Sequence, residues 1–209
     1  MEGQDQPSQS HRRSRQKYYF DKIVNFLDRN DVEYKTVHHE QTPTSEDAAR
    51  ARGVPLSWGG KSLLLKITGG DNDENDDVPN DQFSLFVMSA SRKLNSKAIK
   101  KEFKKKGKAC KNIRFATSEE LANITDGLVP GCVPPFGKPI LKAGNACNGD
   151  GDDDGNDDTY LNLYVDTSIA EENESIAFNA GSLTDSVIMG VQDYIRVSAP
   201  TGIFTFSKS

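Results

Sequence analysis

Four stretches of this chain carry residue types that could hold or act on a ligand. The first is Gly59-Gly60-Lys61-Ser62-Leu63-Leu64-Leu65-Lys66. Side chains alternate along a strand, so Lys61, Leu63 and Leu65 share one face and Ser62, Leu64 and Lys66 the other. A lysine at the mouth of an apolar strand either holds a fixed positive charge beside a phosphate or carbonyl, or snorkels its head into water. The second stretch, Thr125 to Gly137, reads TDGLVPGCVPPFG. Proline fixes φ and glycine opens it, so this loop is rigid and shaped. It suits either a site that holds a carbonyl with backbone N–H groups or a plain connecting turn. The third, Phe178-Asn179-Ala180-Gly181-Ser182, ends a strand in small residues that either leave room for a ligand or make a tight turn. The fourth runs from Arg92 to Arg114 and holds eleven lysines and arginines against one acid, Glu102. That is the footprint expected for nucleic-acid phosphates, with a solvated charge face as the plainer alternative.

Other motifs fail on spacing. GCVPPFGK at 131–138 has five residues between its glycines where a phosphate-binding loop has four. Pro134 and Pro135 also remove two N–H donors that such a cradle needs. Asp150, Asp152, Asp154 and Gly155 match the start of a calcium loop, but Leu161 stands where a bidentate glutamate belongs. The histidines (His11, His38, His39) and cysteines (Cys110, Cys132, Cys147) lack zinc spacing. Neither a metal nor a cofactor is expected. With no G-x-S-x-G elbow, an enzyme built on this sequence has no obvious side-chain nucleophile.

The net charge of -5 conceals a basic domain. Twelve of the 31 acids fall in two runs, 71–81 and 148–158, leaving 19 acids against 26 bases, a balance of +7. Both runs are nearly free of apolar residues and repel themselves, so they read as solvated loops inserted between strands, at 69–82 and 143–158. The 209 residues suit one domain. No apolar run approaches the roughly 20 residues of a membrane span, and the N-terminus has no apolar signal region. Three widely spaced cysteines point to a reducing interior, and hence to the cytoplasm.

The elements that must position these stretches follow from periodicity. Residues 1–16 read as a disordered tail. Phe20, Ile23, Val24 and Leu27 predict an amphipathic helix over 17–30. Strands are expected at 32–39, 61–67, 83–88, 160–165, 175–178 and 186–189. Further helices are expected over EDAARARG, capped by Thr44 or Ser45 and ended by Gly53, over 95–106 with Ile99 and Phe103 inward, and from Ser118. Residues 191–197 are ambiguous, and 200–209 read as a tail. Strands and helices interleave without a βαβ period, which predicts a mixed α/β (α+β) domain over 17–199 with a curved sheet.

Taken together, YKTVHHE with TSEDAA, GKSLLLK, FVMSASRKLN, FATSEELANITDG, VPGCVPPFG, YVDTSI and IAFNAGSLTDSVIM resemble, in order and spacing, the YbaK/prolyl-tRNA-synthetase-associated editing domain family of aminoacyl-tRNA deacylases. The pieces span about residues 20–197. The resemblance implies a mixed sheet curled into a partial barrel with helices around it. It places the family's lysine at Lys61, its G-x-x-x-P loop at Gly131 and Pro135, and its small-residue strand end at Asn179, Ala180 and Gly181, with Ser182 beside them. His39 matches a pocket-lining position, and Asp166 an often acidic position of unassigned role. Cys132, inside the loop, would narrow the pocket, react with a substrate, or serve as a small hydrophobe, the commoner use of such a residue.

The implied chemistry is hydrolysis of the ester between a wrong amino acid and the tRNA 3′-terminal adenosine. Such an ester is already activated, so placing water and stabilising the oxyanion can replace a nucleophile. Lys61 and the backbone of Gly131 would do the catalysis, while His39, Pro135, Asn179, Ala180, Gly181 and Ser182 would hold substrate. Lys97, Lys100, Lys101, Lys104 and Lys105 would grip the tRNA. No synthetase catalytic domain accompanies these motifs, so the expectation is a free-standing trans-editing hydrolase that meets tRNA and, as a further partner, a synthetase. The competing expectation is a binding module of the same fold without catalysis.

Overall fold

The computed structural model describes residues 9–69, 81–108, 110–142 and 160–209. The chain runs through α1 (Gln9–Arg29), β1 (Tyr34–His38), α2 (Ser45–Arg52), β2 (Gly60–Thr68), β3 (Asp81–Ser89), β4 (Lys93–Leu94), α3 (Ser96–Lys105) and β5 (Asn112–Phe115). It continues through α4 (Ser118–Ile124), β6 (Asn162–Val165), α5 (Thr167–Ala170), β7 (Ser175–Asn179), β8 (Asp185–Gly190), α6 (Val191–Ser198), β9 (Gly202–Ile203) and β10 (Ser207–Lys208). The expected acidic insertions and the calcium-like run lie, but for their edges, outside the described residues.

A five-stranded sheet runs β5-β2-β3-β6-β9, antiparallel through β5, β2 and β3 and parallel through β3, β6 and β9. A second, antiparallel sheet runs β1-β8-β7. The two meet at a single bridge, Gly59 with Ala177, so the mixed α/β architecture curls without closing into a barrel among the described residues.

Both faces of the large sheet are covered, which is why β2 and β3 are almost continuously apolar. Leu64, Leu85 and Val87 face a large core with α1, the 128–141 loop and the second sheet. Leu65, Ile67, Phe86 and Met88 face a smaller core closed by Ile99 and Phe103 of α3, by Tyr164 and by Phe206. The face alternation expected along Lys61–Lys66 is therefore present. Ile99 and Phe103 are almost fully buried, and each such side chain contributes about 1.5–3 kcal/mol.

Three segments differ from expectation. Helix α1 begins at Gln9, inside the stretch read as a disordered tail, and its buried Tyr19 donates from its hydroxyl to the Thr125 carbonyl. The ambiguous 191–197 stretch is helical, with Val191 and Tyr194 buried one turn apart. Residues 202–208 are built into the fold: β9 pairs with β6, β10 pairs with β4, and Phe206 is wholly buried. Two-residue strands carry no period to read. The second of them is held by Asp166, forty residues upstream and fully buried. Its carboxylate accepts from Phe206 N–H (2.5 Å), the Ser207 hydroxyl (2.8 Å) and Ser168 N–H (2.9 Å), where it caps α5. The acidic position whose role the sequence left open is thus a clasp for the last strand.

Candidate functional site

A cavity of about 580 Å³ opens where β2, α2, the end of β5 and the 130–133 loop converge. Four of its wall residues, Ala48, Leu64, Leu121 and Val133, are buried and apolar. Gln41, Thr42, Thr44 and Ser45 supply polar side chains beside the start of α2, where Thr44 caps the helix by accepting from Asp47 N–H. Strand β5 pairs with β2 only over Leu65–Thr68. The Lys61–Leu63 stretch is thus left without a strand on that side among the described residues, and the cavity wraps this edge. Both faces of β2 line it: Lys61 and Leu63 from one, Ser62 and Leu64 from the other.

Lys61, Gly131 and Asn179 all line this cavity, so the strand lysine, the glycine–proline loop and the end of β7 share one space. The Lys61 ammonium makes no hydrogen bond or ion pair among the described residues. Gly131 is exposed and sits at φ 91°, left-handed backbone that disfavours any side chain. The Gly131 carbonyl accepts from the Asn179 amide (2.8 Å). Cys132 N–H is committed to the Val129 carbonyl, whereas the N–H groups of Gly131 and Val133 have no partner among the described residues. Gly131 and Val133 both line the cavity.

Sequence reasoning missed Arg52. It lines the cavity from the end of α2 and bonds Ser186 Oγ (2.9 Å), Asn179 Oδ1 (2.5 Å) and the Ala177 carbonyl. Burial lowers its pKa to about 10, which still leaves it charged at neutral pH. By engaging Asn179 Oδ1 it turns the amide nitrogen toward Gly131, so α2 helps to set the loop. An arginine inside EDAARARG looks like any solvated helix charge, and nothing local marks it.

The other expected substrate contacts do not line the cavity. His39 is buried behind it, its ring bonded to Ser186 Oγ (2.8 Å) and to the Glu40 carbonyl (2.7 Å). The Pro135 carbonyl accepts from the Tyr194 hydroxyl, inside the core. Ala180, Gly181 and Ser182 are buried as well. A Cβ on Gly181 would lie 2.3 Å from Tyr19 Cβ, so the missing side chain at Gly181 makes room for α1. Ser182 Oγ accepts from Thr184 N–H within the turn. Cys132 is buried in the core and does not line the cavity; burial pushes its thiol up to about 11, so it is neutral and unreactive at ordinary pH.

Near the rim, Glu120 pairs through both oxygens with Arg114 (2.6 Å each) and accepts from Thr117 N–H. These partners, Arg114 first, hold its carboxyl at about 2. The pair and the capping box at Thr117 fix the start of α4, which carries Leu121 into the cavity wall.

Helix α3 presents Lys97, Lys101 and Lys104 to solvent without ion pairs among the described residues. Lys100 donates to the Lys111 carbonyl and Lys105 pairs with Glu102. None of the five lines the cavity. Among the described residues there is no cluster of metal-ligating groups and no helix long and apolar enough to cross a membrane.

The fold has solved counterparts. A crystal structure of hypothetical protein APE2540 superposes with TM-score 0.64 at 16% identity, covering 90% of this chain and 99% of that one. That of a candidate trans-editing enzyme for prolyl tRNA synthetase gives 0.60 at 18% identity, covering 91% and 98%. The multifunctional Ser/Thr-tRNA deacylase ProXp-y of Escherichia coli (strain K12) is 26% identical over 180 residues, 86% of this chain and 87% of that protein. The sequence model of the aminoacyl-tRNA editing domain matches residues 39–197, which hold Lys61, Gly131 and Asn179 alike. The chain belongs to the aminoacyl-tRNA editing domain family, a family of deacylases.

Proposed function

We propose that this protein is a trans-editing hydrolase that cleaves the ester of mischarged aminoacyl-tRNA. The observation that carries the proposal is the shared cavity: Lys61, with its unpaired ammonium, and Gly131 and Val133, with backbone N–H groups uncommitted among the described residues, line one space that has no cysteine or histidine in its lining. In the proposed reaction the Gly131 and Val133 N–H groups hold the ester carbonyl and take up the charge that develops on its oxygen when water attacks. Lys61 sits beside the acylated ribose and draws electron density from the ester. Arg52, through Asn179, keeps the loop in register. The bond between the carbonyl carbon and the ribose oxygen then breaks, the ribose oxygen takes up a proton from the attacking water, and the amino acid is released with a free carboxylate.

The apolar wall of Ala48, Leu64, Leu121 and Val133 suits a small amino-acid side chain. Because the Escherichia coli relative is named for serine and threonine, seryl and threonyl esters are the first substrates proposed. Such a substrate places the protein in the cytoplasm, alongside tRNA and the synthetases that charge it.

The direct test incubates the protein with seryl-, threonyl-, alanyl-, cysteinyl- and prolyl-tRNA and follows release of the amino acid. Release from at least one mischarged tRNA is expected. Binding without release from any of them would overturn the catalytic proposal in favour of a non-catalytic tRNA-binding module.

The role proposed for α3 has its own measurement. Changing Lys97, Lys101 and Lys104 together to glutamate should weaken tRNA binding. It should also flatten the dependence of log affinity on log salt by roughly one unit for each phosphate no longer neutralised. An unchanged salt slope would remove α3 from the tRNA-binding surface.

A further inference from the structure

Phe115 stands apart from the other aromatic residues of the strands. Phe86, Tyr164 and Phe178 are buried, whereas Phe115 is 57% exposed. Of the large apolar side chains exposed among the described residues, Tyr18, Phe115 and Ile203, only Phe115 lines the cavity. Its ring has no aromatic or cationic partner among the described residues.

The backbone beneath that ring is firmly held. Phe115 pairs with Leu65, and the next amide, Ala116 N–H, donates to the Leu64 carbonyl (2.9 Å). The Phe115 carbonyl accepts from Arg114, whose guanidinium is itself pinned by both oxygens of Glu120. An exposed phenyl ring on a fixed strand end offers a flat apolar face at little further entropy cost on binding.

Its direction adds to this. Phe115 lies on the same face of β5 as Ile113, which packs toward the core under α3. Lys61 lies on that same face of the sheet, by alternation from Leu65. The ring is thus on the side of the basic helix and at the rim of the cavity that holds the ammonium. A nucleotide whose ribose reaches Lys61 must keep its base close by, and among the described residues the Phe115 ring is the aromatic surface lining that cavity.

We propose that Phe115 is a stacking platform for a nucleobase, the one attached to the acylated ribose. This deepens the deacylase proposal and rests on it. Stacking on an aromatic side chain tolerates any base and adds affinity without entering the chemistry.

The test combines Phe115→Ala, Phe115→Trp and the unmodified protein. Phe115→Ala should raise KM for mischarged tRNA by roughly 5- to 150-fold, the span expected when one base–aromatic stack is removed. It should change kcat far less, and Phe115→Trp should restore KM. Uncharged tRNA carrying 2-aminopurine as its terminal base should lose fluorescence on binding the unmodified protein, and much less on binding Phe115→Ala. A circular-dichroism melt should be unaltered, since the ring is exposed. Equal KM and equal quenching in Phe115→Ala would overturn the platform. Should the unmodified protein release no amino acid from any mischarged tRNA, the deacylase proposal fails on its own, and the quenching comparison still reports whether a base stacks.

Discussion

Replacing Lys61 by alanine should lower kcat/KM for a mischarged tRNA by at least about a hundredfold and leave the melting temperature unchanged. The size follows from the proposed role: removal of one preorganised group that polarises the ester is expected to cost about what loss of a single oxyanion donor costs, roughly 10²–10³ in rate. The contrast with stability follows from the surroundings of Lys61. Its ammonium has no partner among the described residues, and it lines a cavity instead of filling a core. Removing it leaves no orphaned acceptor and no new void. Lys61→Arg is the sharper control, because guanidinium keeps the charge but spreads it over a wider plane that a site shaped for an ammonium does not fit. Partial activity in Lys61→Arg with none in Lys61→Ala would show that charge at this point is what matters. Full turnover in Lys61→Ala would overturn the role proposed for this residue.

Asp166→Ala should act in the opposite sense, lowering the melting temperature by about 10 °C while leaving the cavity residues in place. The carboxylate is fully buried and receives three donors, two of them backbone amides. Each buried donor left without an acceptor costs about 1–3 kcal/mol. For a chain of this size each kcal/mol moves the midpoint by about 2–4 °C. Asp166→Asn, which keeps one acceptor oxygen, should fall between the two. Calorimetry gives the midpoint, and hydrogen exchange at the Phe206 amide gives the local cause: exchange there should accelerate in Asp166→Ala before global unfolding. An unchanged midpoint would mean that the clasp contributes nothing.

The sequence showed most of what periodicity can encode. The alternation through Lys61–Lys66 set both faces of β2, and the i, i+3, i+4, i+7 pattern from Phe20 set the buried side of α1. Lys61, Gly131 and Asn179 were named from residue type and resemblance, and they share a cavity. What stayed hidden depended on distant partners. Arg52 matters because Asn179 and Ser186 come to it across more than 120 residues. His39 and the Ala180–Ser182 turn were expected to touch substrate, but small or polar residues at a strand end serve tight packing equally well. Only the position of Tyr19 shows which demand Gly181 meets. The two-residue strands β9 and β10 gave no local signal at all, because distant partners hold them: β6 pairs with β9, and the Asp166 carboxylate grips Phe206 and Ser207.

That clasp also bears on how the chain folds as it is made. Strand β9 lies at an edge of the five-stranded sheet, and Phe206 stacks edge-on against Phe86 (5.2 Å) from residues translated well over a hundred positions later. Synthesis proceeds from the N-terminus at about 5–20 residues per second. Throughout that interval Phe86 lacks the cover that Phe206 gives it, and for roughly the last forty residues of it Tyr164 and Asp166 wait as well, the carboxylate still without its two donors from Phe206 and Ser207. A chaperone that shields these residues until Phe206 and Ser207 emerge would find its target already set by the order of translation.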